Sequence, residues 1–128
     1  MGNINSVSKL NFEEMSKFIN NRDTIIINTL ETNNQSCLIS GTLNPDEEID
    51  RLNSYLKEKN TKNVKVVIYG KNSGDLSIEV KYGQLIKLGF SNTSIYLGGL
   101  FEWLLLQEIY GNDMFPTTSN ELDILKYG

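Results

Sequence analysis

Apolar positions along the chain fall into short continuous runs that alternate with stripes of helical spacing. Thr24-Ile25-Ile26-Ile27-Asn28 and Val64-Lys65-Val66-Val67-Ile68-Tyr69 are β-branched runs without the polar alternation of a half-exposed strand, which predicts strands covered on both faces in a parallel sheet. Two shorter runs, Cys37-Leu38-Ile39 and Ser94-Ile95-Tyr96-Leu97, read as further strands. Helical patterns lie between and around them. Asn11-Phe12-Glu13-Glu14 is a capping box: Asn11 accepts from first-turn amides, Glu14 reaches back, and Leu10 and Met15 are spaced as the hydrophobic staple. Phe12, Met15, Phe18 and Ile19 form that helix's inner face. Asn44-Pro45-Asp46-Glu47 opens a second helix, with Asn44 as N-cap, Pro45 at the first helical position and Ile49, Leu52 and Leu56 facing inward to about Lys59. Ile78, Tyr82, Leu85 and Ile86 mark a third, which starts near Asp75 or Ser77 and ends at a left-handed cap on Gly89. Leu100 to Tyr110 reads as a fourth, closed by Gly111. This alternation predicts an α/β domain with a small, mainly parallel central sheet of about five strands, right-handed crossovers and helices on both faces.

One domain accounts for all 128 residues, with a core over about 6–116 and a tail over 112–128 that docks through Leu122, Ile124 and Leu125. Composition then removes whole classes of chemistry. The chain has no histidine and a single cysteine, Cys37, so no intramolecular disulfide, no Ser-His-Asp or Cys-His system and none of the usual zinc ligand sets can be assembled within it. No metal or cofactor is expected. Cys37 itself sits in an apolar run and reads as a small core hydrophobe. Met1-Gly2-Asn3-Ile4-Asn5-Ser6 lacks the order of a secretory signal; it fits a loose myristoylation pattern without a polybasic second anchor. The most apolar stretch, Leu97 to Leu106, is broken by Gly98, Gly99 and Glu102 and falls short of the roughly 20 residues of a membrane span. The expectation is a soluble, cytoplasmic protein.

Net charge is −4, against general nucleic-acid binding, but its distribution is uneven. Residues 57–87 hold seven lysines (57, 59, 62, 65, 71, 81 and 87) against Glu58, Asp75 and Glu79, a local +4 that leaves −8 elsewhere. A solvated face is the ordinary meaning of such a cluster, and nucleic-acid association is the third-ranked functional reading. Chemistry is expected where the Val64–Tyr69 strand stops at a glycine, because in α/β proteins loop amides and a helix N-terminus converge there. That loop is Gly70-Lys71-Asn72-Ser73-Gly74-Asp75, followed by Ser77. It contains no cysteine, histidine or arginine. Ser73 and Lys71 have no histidine to activate them.

Tyr69-Gly70-Lys71-Asn72-Ser73-Gly74-Asp75, then Leu85-Ile86-Lys87-Leu88-Gly89-Phe90, then Tyr96-Leu97-Gly98-Gly99-Leu100-Phe101-Glu102-Trp103 resembles the back half of a rhodanese domain. Ile27-Asn28-Thr29-Leu30 and Cys37-Leu38-Ile39-Ser40-Gly41-Thr42 resemble its front half more weakly, so the similarity spans about residues 6–116. Gly99-Leu100-Phe101-Glu102-Trp103 through Gly111, with Phe115-Pro116-Thr117, further resembles a single-domain branch of protists and large DNA viruses. The resemblance implies a sulfurtransferase fold whose active members carry sulfur as a persulfide on a loop cysteine, and whose phosphatase relatives use that cysteine with an arginine.

Counted from the strand, the cysteine position falls on Gly70 and the arginine near Asp75; counted back from Leu85 and Gly89, they fall on Asn72 and Ser77. Neither register supplies a nucleophile. Persulfide chemistry requires a thiolate, so the resemblance implies an inactive homologue in which Asp75 caps the following helix. The leading expectation is a protein-interaction or regulatory module. Phe101, Trp103, Leu104 and Leu105, on a helix apolar on most sides, are the candidate interface for a protein partner or a second copy. The alternative is an anion-binding or residual enzymatic use of the 70–77 loop through its amides and Lys71.

Overall fold

The structure, a computed structural model, describes residues 7–128; the Met1–Ser6 myristoylation pattern lies outside the described residues. Strands β1 (Ser8–Leu10), β2 (Thr24–Asn28), β3 (Lys65–Tyr69) and β4 (Thr93–Tyr96) form one sheet in the order β1-β4-β3-β2. All three pairings are parallel, with Asn28 beside Tyr69 and Ile68 beside Ile95. Helices α1 (Phe12–Phe18), α2 (Pro45–Lys57), α3 (Ser77–Lys87) and α4 (Gly99–Tyr110) connect and follow the strands.

Alternate residues of each strand enter two cores. Ile26, Val67, Tyr69 and Tyr96 join Met15 of α1 and Leu100, Trp103 and Leu104 of α4 on one face. Ile25, Ile27, Val66, Ile68 and Ile95 join Leu52 of α2 and Ile78 and Leu85 of α3 on the other. Burial on both faces is the reason the β2 and β3 runs carry no polar alternation. Both predicted capping boxes form: the Asn11 and Asn44 side chains accept from the amides of Glu14 and Glu47, each at 2.8 Å, and the glutamates return the bond.

Among the described residues the sheet has four strands rather than five, and one of the four, β1, was not predicted. Cys37-Leu38-Ile39 is not a sheet strand. Its backbone turns to the tail, where Ser40 N–H donates to Pro116 O and Thr118 N–H to Leu38 O, and the buried Tyr69 hydroxyl accepts from Ile39 N–H at 3.1 Å. With that amide held by a side chain, the segment has only an isolated antiparallel bridge, Ile39 to Thr117. Ile49, predicted to face inward on α2, is 56% exposed, and the inner face begins at Leu52. In the tail, Tyr127 and Ile124 dock, while Leu122 and Leu125 project into solvent.

Helix α4 lies against the sheet with Trp103 fully buried. Its indole N–H donates to Pro116 O at 3.1 Å, and its ring meets Phe115 and Tyr96 edge-on at 5.0 and 5.9 Å. The candidate interface is therefore corrected: Trp103 and Leu104 belong to the core, whereas Phe101 is partly accessible and Leu105 is 40% exposed. Trp103→Ala is expected to lower unfolding free energy by about 3–5 kcal/mol, as for other buried tryptophans, and Leu105→Ala by less than about 1.5 kcal/mol. Urea unfolding of the two variants checks this; equal losses would contradict the assignment.

Candidate functional site

Because all strands run the same way, the exits of β2, β3 and β4 open at one edge of the sheet. Thr29, Gly70 and Gly98 are the first residues or nearly the first beyond those exits. The β3–α3 loop lies between the other two. Its most connected side chain is Asp75, whose Oδ2 accepts from Lys71 N–H at 3.1 Å and whose Oδ1 accepts from Ser77 N–H at 3.0 Å and the Ser77 hydroxyl at 2.6 Å. Asp75 thus caps α3 from two positions before its first residue and closes the loop onto itself. Partial burial raises the carboxyl's pKa, but the hydrogen bonds from Ser77 and Lys71, with the Lys71 charge, outweigh it and hold the group below its ordinary value.

Gly70 is enclosed by this network. A Cβ at Gly70 would lie 2.4 Å from Asp75 Oδ2 and 2.9 Å from both Ile78 Cγ1 and Thr29 Oγ1. The other loop groups are engaged as well. Leu100 N–H donates to Gly70 O at 3.0 Å and Phe101 N–H to Lys71 O at 2.8 Å, so first-turn amides of α4 hold loop carbonyls. The approach requires Gly99, with φ +68°: a Cβ there would lie 2.7 Å from Gly70 O. Asn72 donates from Nδ2 to Tyr127 O at 2.6 Å and accepts Gly74 N–H on Oδ1 at 2.9 Å. Lys71 and Ser73 are exposed.

Two participants were not among the residues singled out from sequence. Thr29 receives the Ser77 hydroxyl at 2.8 Å, and Tyr127 supplies the carbonyl that holds Asn72. Thr29 had a signal: it directly follows β2, in register with β3, so its place beside Gly70 follows from parallel pairing. Tyr127 had none. Cys37 is remote from this network; it is 2% exposed, and its Sγ donates to Ser119 O at 3.3 Å. Burial pushes its thiol up, against smaller opposing effects of Ser119 and Thr117, which disfavours the thiolate. Among the described residues no group of three or more His, Cys, Asp or Glu is gathered as a metal would need, and no helix is long and apolar enough to cross a membrane. Beside the loop, Asn72 and Ser73 border a groove of about 820 Å³ that runs along α4.

Residues 13–106 match the model of the rhodanese-like domain. No curated protein matches the chain. Among solved structures, the fold is similar to the crystal structure of a single-domain sulfurtransferase from Saccharomyces cerevisiae, with a TM-score of 0.52 and 13% identity, over 85% of this chain and 98% of the yeast chain. At that identity the likeness speaks for the fold, and the family follows from the match over most of the sequence: this chain belongs to the rhodanese-like domain family.

Proposed function

We propose that this rhodanese-like domain has neither sulfurtransferase nor phosphatase activity and acts as a protein-interaction or regulatory module. The observation that carries the reading is the Asp75 carboxylate seated on the Lys71 and Ser77 amides. Persulfide transfer needs a thiolate stabilised by converging loop amides and a positive helix end. Here a carboxylate already occupies such amides, and the residue that follows β3 is a glycine with no room for a side chain. In the other register the position is Asn72, whose amide is committed to Tyr127 and Gly74. The one thiol is buried under the tail.

The same carboxylate counts against the anion-binding alternative. A bound anion about 4 Å from it meets a repulsion on the order of 4 kcal/mol at an effective dielectric of about 20. The lysine cluster, in turn, is partly consumed by the fold. Lys81 pairs with Glu48, and Lys65 donates to Ser94 and Asn92 and lies 5.4 Å from the Phe18 ring centroid. Both observations favour the first reading over the other two.

Thiosulfate:cyanide sulfurtransferase and aryl-phosphatase assays of the protein are expected to be blank, and turnover above a no-protein control would defeat the proposal. Gly70→Cys is expected to restore nothing and to lose about 1–3 kcal/mol of stability through overpacking. Sulfate or phosphate at millimolar concentration should leave the amide signals of Gly70–Ser77 unmoved; saturable shifts would favour the anion reading. Asp75 also sets a pH dependence. Its folded pKa lies below the ordinary 3.8, so its contribution is present above that value and is lost as pH falls through the folded one. The stability advantage of wild type over Asp75→Asn is therefore expected to be constant near neutrality and to shrink below about pH 4. Urea midpoints of both proteins across pH 3–7 would read it, and an advantage that grows on acidification would contradict the assignment.

A further inference from the structure

Helix α4 is apolar on most sides, with Glu102, Gln107 and Glu108 as its polar positions, yet its described neighbours cover only part of it. Leu100, Trp103 and Leu104 face the sheet and tail, leaving Leu97, Phe101, Leu105 and Ile109, four residues apart, along the outer side. Leu97 is 39%, Leu105 40% and Ile109 70% exposed. Leu97, Phe101 and Leu105 of this strip line the groove of about 820 Å³ together with Leu10 and Phe12 at the β1–α1 junction. The groove's charged residues are Lys9, Glu14 and Glu102. Glu14 accepts from Asn11 N–H and Glu102 from the Tyr96 hydroxyl, bonds that fix both carboxylates at the rim.

Charge selects the occupant. Helix α4 contributes Glu102 and the exposed Glu108 and no lysine or arginine, and the groove lining adds Glu14 against one lysine, Lys9. A second copy seated along α4 would set Glu102 and Glu108 of one protomer against the same residues of the other, which like-charge repulsion opposes. A segment with apolar anchors and cationic flanks meets both the strip and its rim. We infer that the groove between α4 and the β1–α1 junction binds a short amphipathic peptide segment carrying lysine or arginine on its polar face. This rests on the reading of the domain as an interaction module, and it names the surface and the chemistry of the partner.

The test uses the whole protein, isotopically labelled, and two designed amphipathic peptides with one leucine pattern, bearing lysines in one and glutamates in the other. The lysine peptide is expected to shift signals of Leu10, Leu97, Phe101 and Leu105 and to bind more weakly as salt rises. Leu105→Lys, at an exposed position that leaves the core intact, should weaken binding about tenfold or more, the scale of losing a central anchor. Ile49→Lys, on the opposite layer, should leave it unchanged. Equal binding of both peptides, shifts centred elsewhere, or unchanged affinity in Leu105→Lys would overturn the inference, as would a dimeric mass abolished by Leu105→Lys. A protein that binds neither peptide but is blank for sulfur transfer loses the groove assignment alone; one that turns over thiosulfate loses the functional reading whatever the groove does.

Discussion

Ile25 to Ile27 in β2 and Val66 to Tyr69 in β3 have to leave water on both faces of the sheet, and the rest of the molecule is arranged to satisfy that demand. Covering two faces with one short chain requires a crossover helix after each central strand, which makes the strands parallel. Parallel strands in turn bring every exit to one edge. Thr29, Gly70 and Gly98 meet there as a consequence of topology, before any question of chemistry arises. The site is thus inherited from the packing, and its content depends on a handful of loop residues.

Within the loop, several backbone and side-chain polar groups are turned toward one another. Lys71 and Ser77 amides go to Asp75, Gly74 to Asn72, and two amides of α4 go to the carbonyls of Gly70 and Lys71. Gly70 is buried, so the bond from Leu100 satisfies a carbonyl that the tight approach of loop and helix removes from water, while the Asp75 and Asn72 bonds order an exposed part of the loop. The glycines follow from the same geometry. Gly70 and Gly99 stand where a Cβ would meet Asp75 Oδ2 or Gly70 O below 3.0 Å, so they mark close approach between elements rather than flexibility.

What the sequence disclosed depended on range. Both capping boxes were legible because donor and acceptor lie three residues apart and need no tertiary information. The long runs of β2 and β3 were legible because four consecutive buried residues admit few other meanings. β1 was not: it spans three residues, of which only Leu10 is buried, and carries no period. Cys37–Ile39 failed in the opposite sense, an apolar run whose backbone partners, the tail and the Tyr69 hydroxyl, lie 30 or more residues away. The loop's missing cysteine and arginine could be read from residue types alone. Thr29's place beside Gly70 follows once β2 and β3 pair in parallel, whereas Tyr127, 55 residues from Asn72, required the fold.

Helix α4 takes part both in the core and in the exposed edge. A helix apolar on most sides reads the same in sequence whether it is sunk in a core or left partly exposed, and here its sides divide between the two conditions. Trp103 and Gln107 bind it to the tail through Pro116, Phe115 and Thr117, which fixes one flank. Leu100 and Phe101 fix its N-terminus to the loop through backbone bonds. Leu105 and Ile109 have neither the sheet nor the tail over them, and the strip they form enters the groove that Asn72 and Ser73 border. A molecule seated on that strip touches the loop from outside and needs none of the amides that Asp75 holds. The closed cradle and the open groove are therefore independent features of one edge, the first set by hydrogen bonds inside the loop and the second by apolar surface left exposed among the described residues.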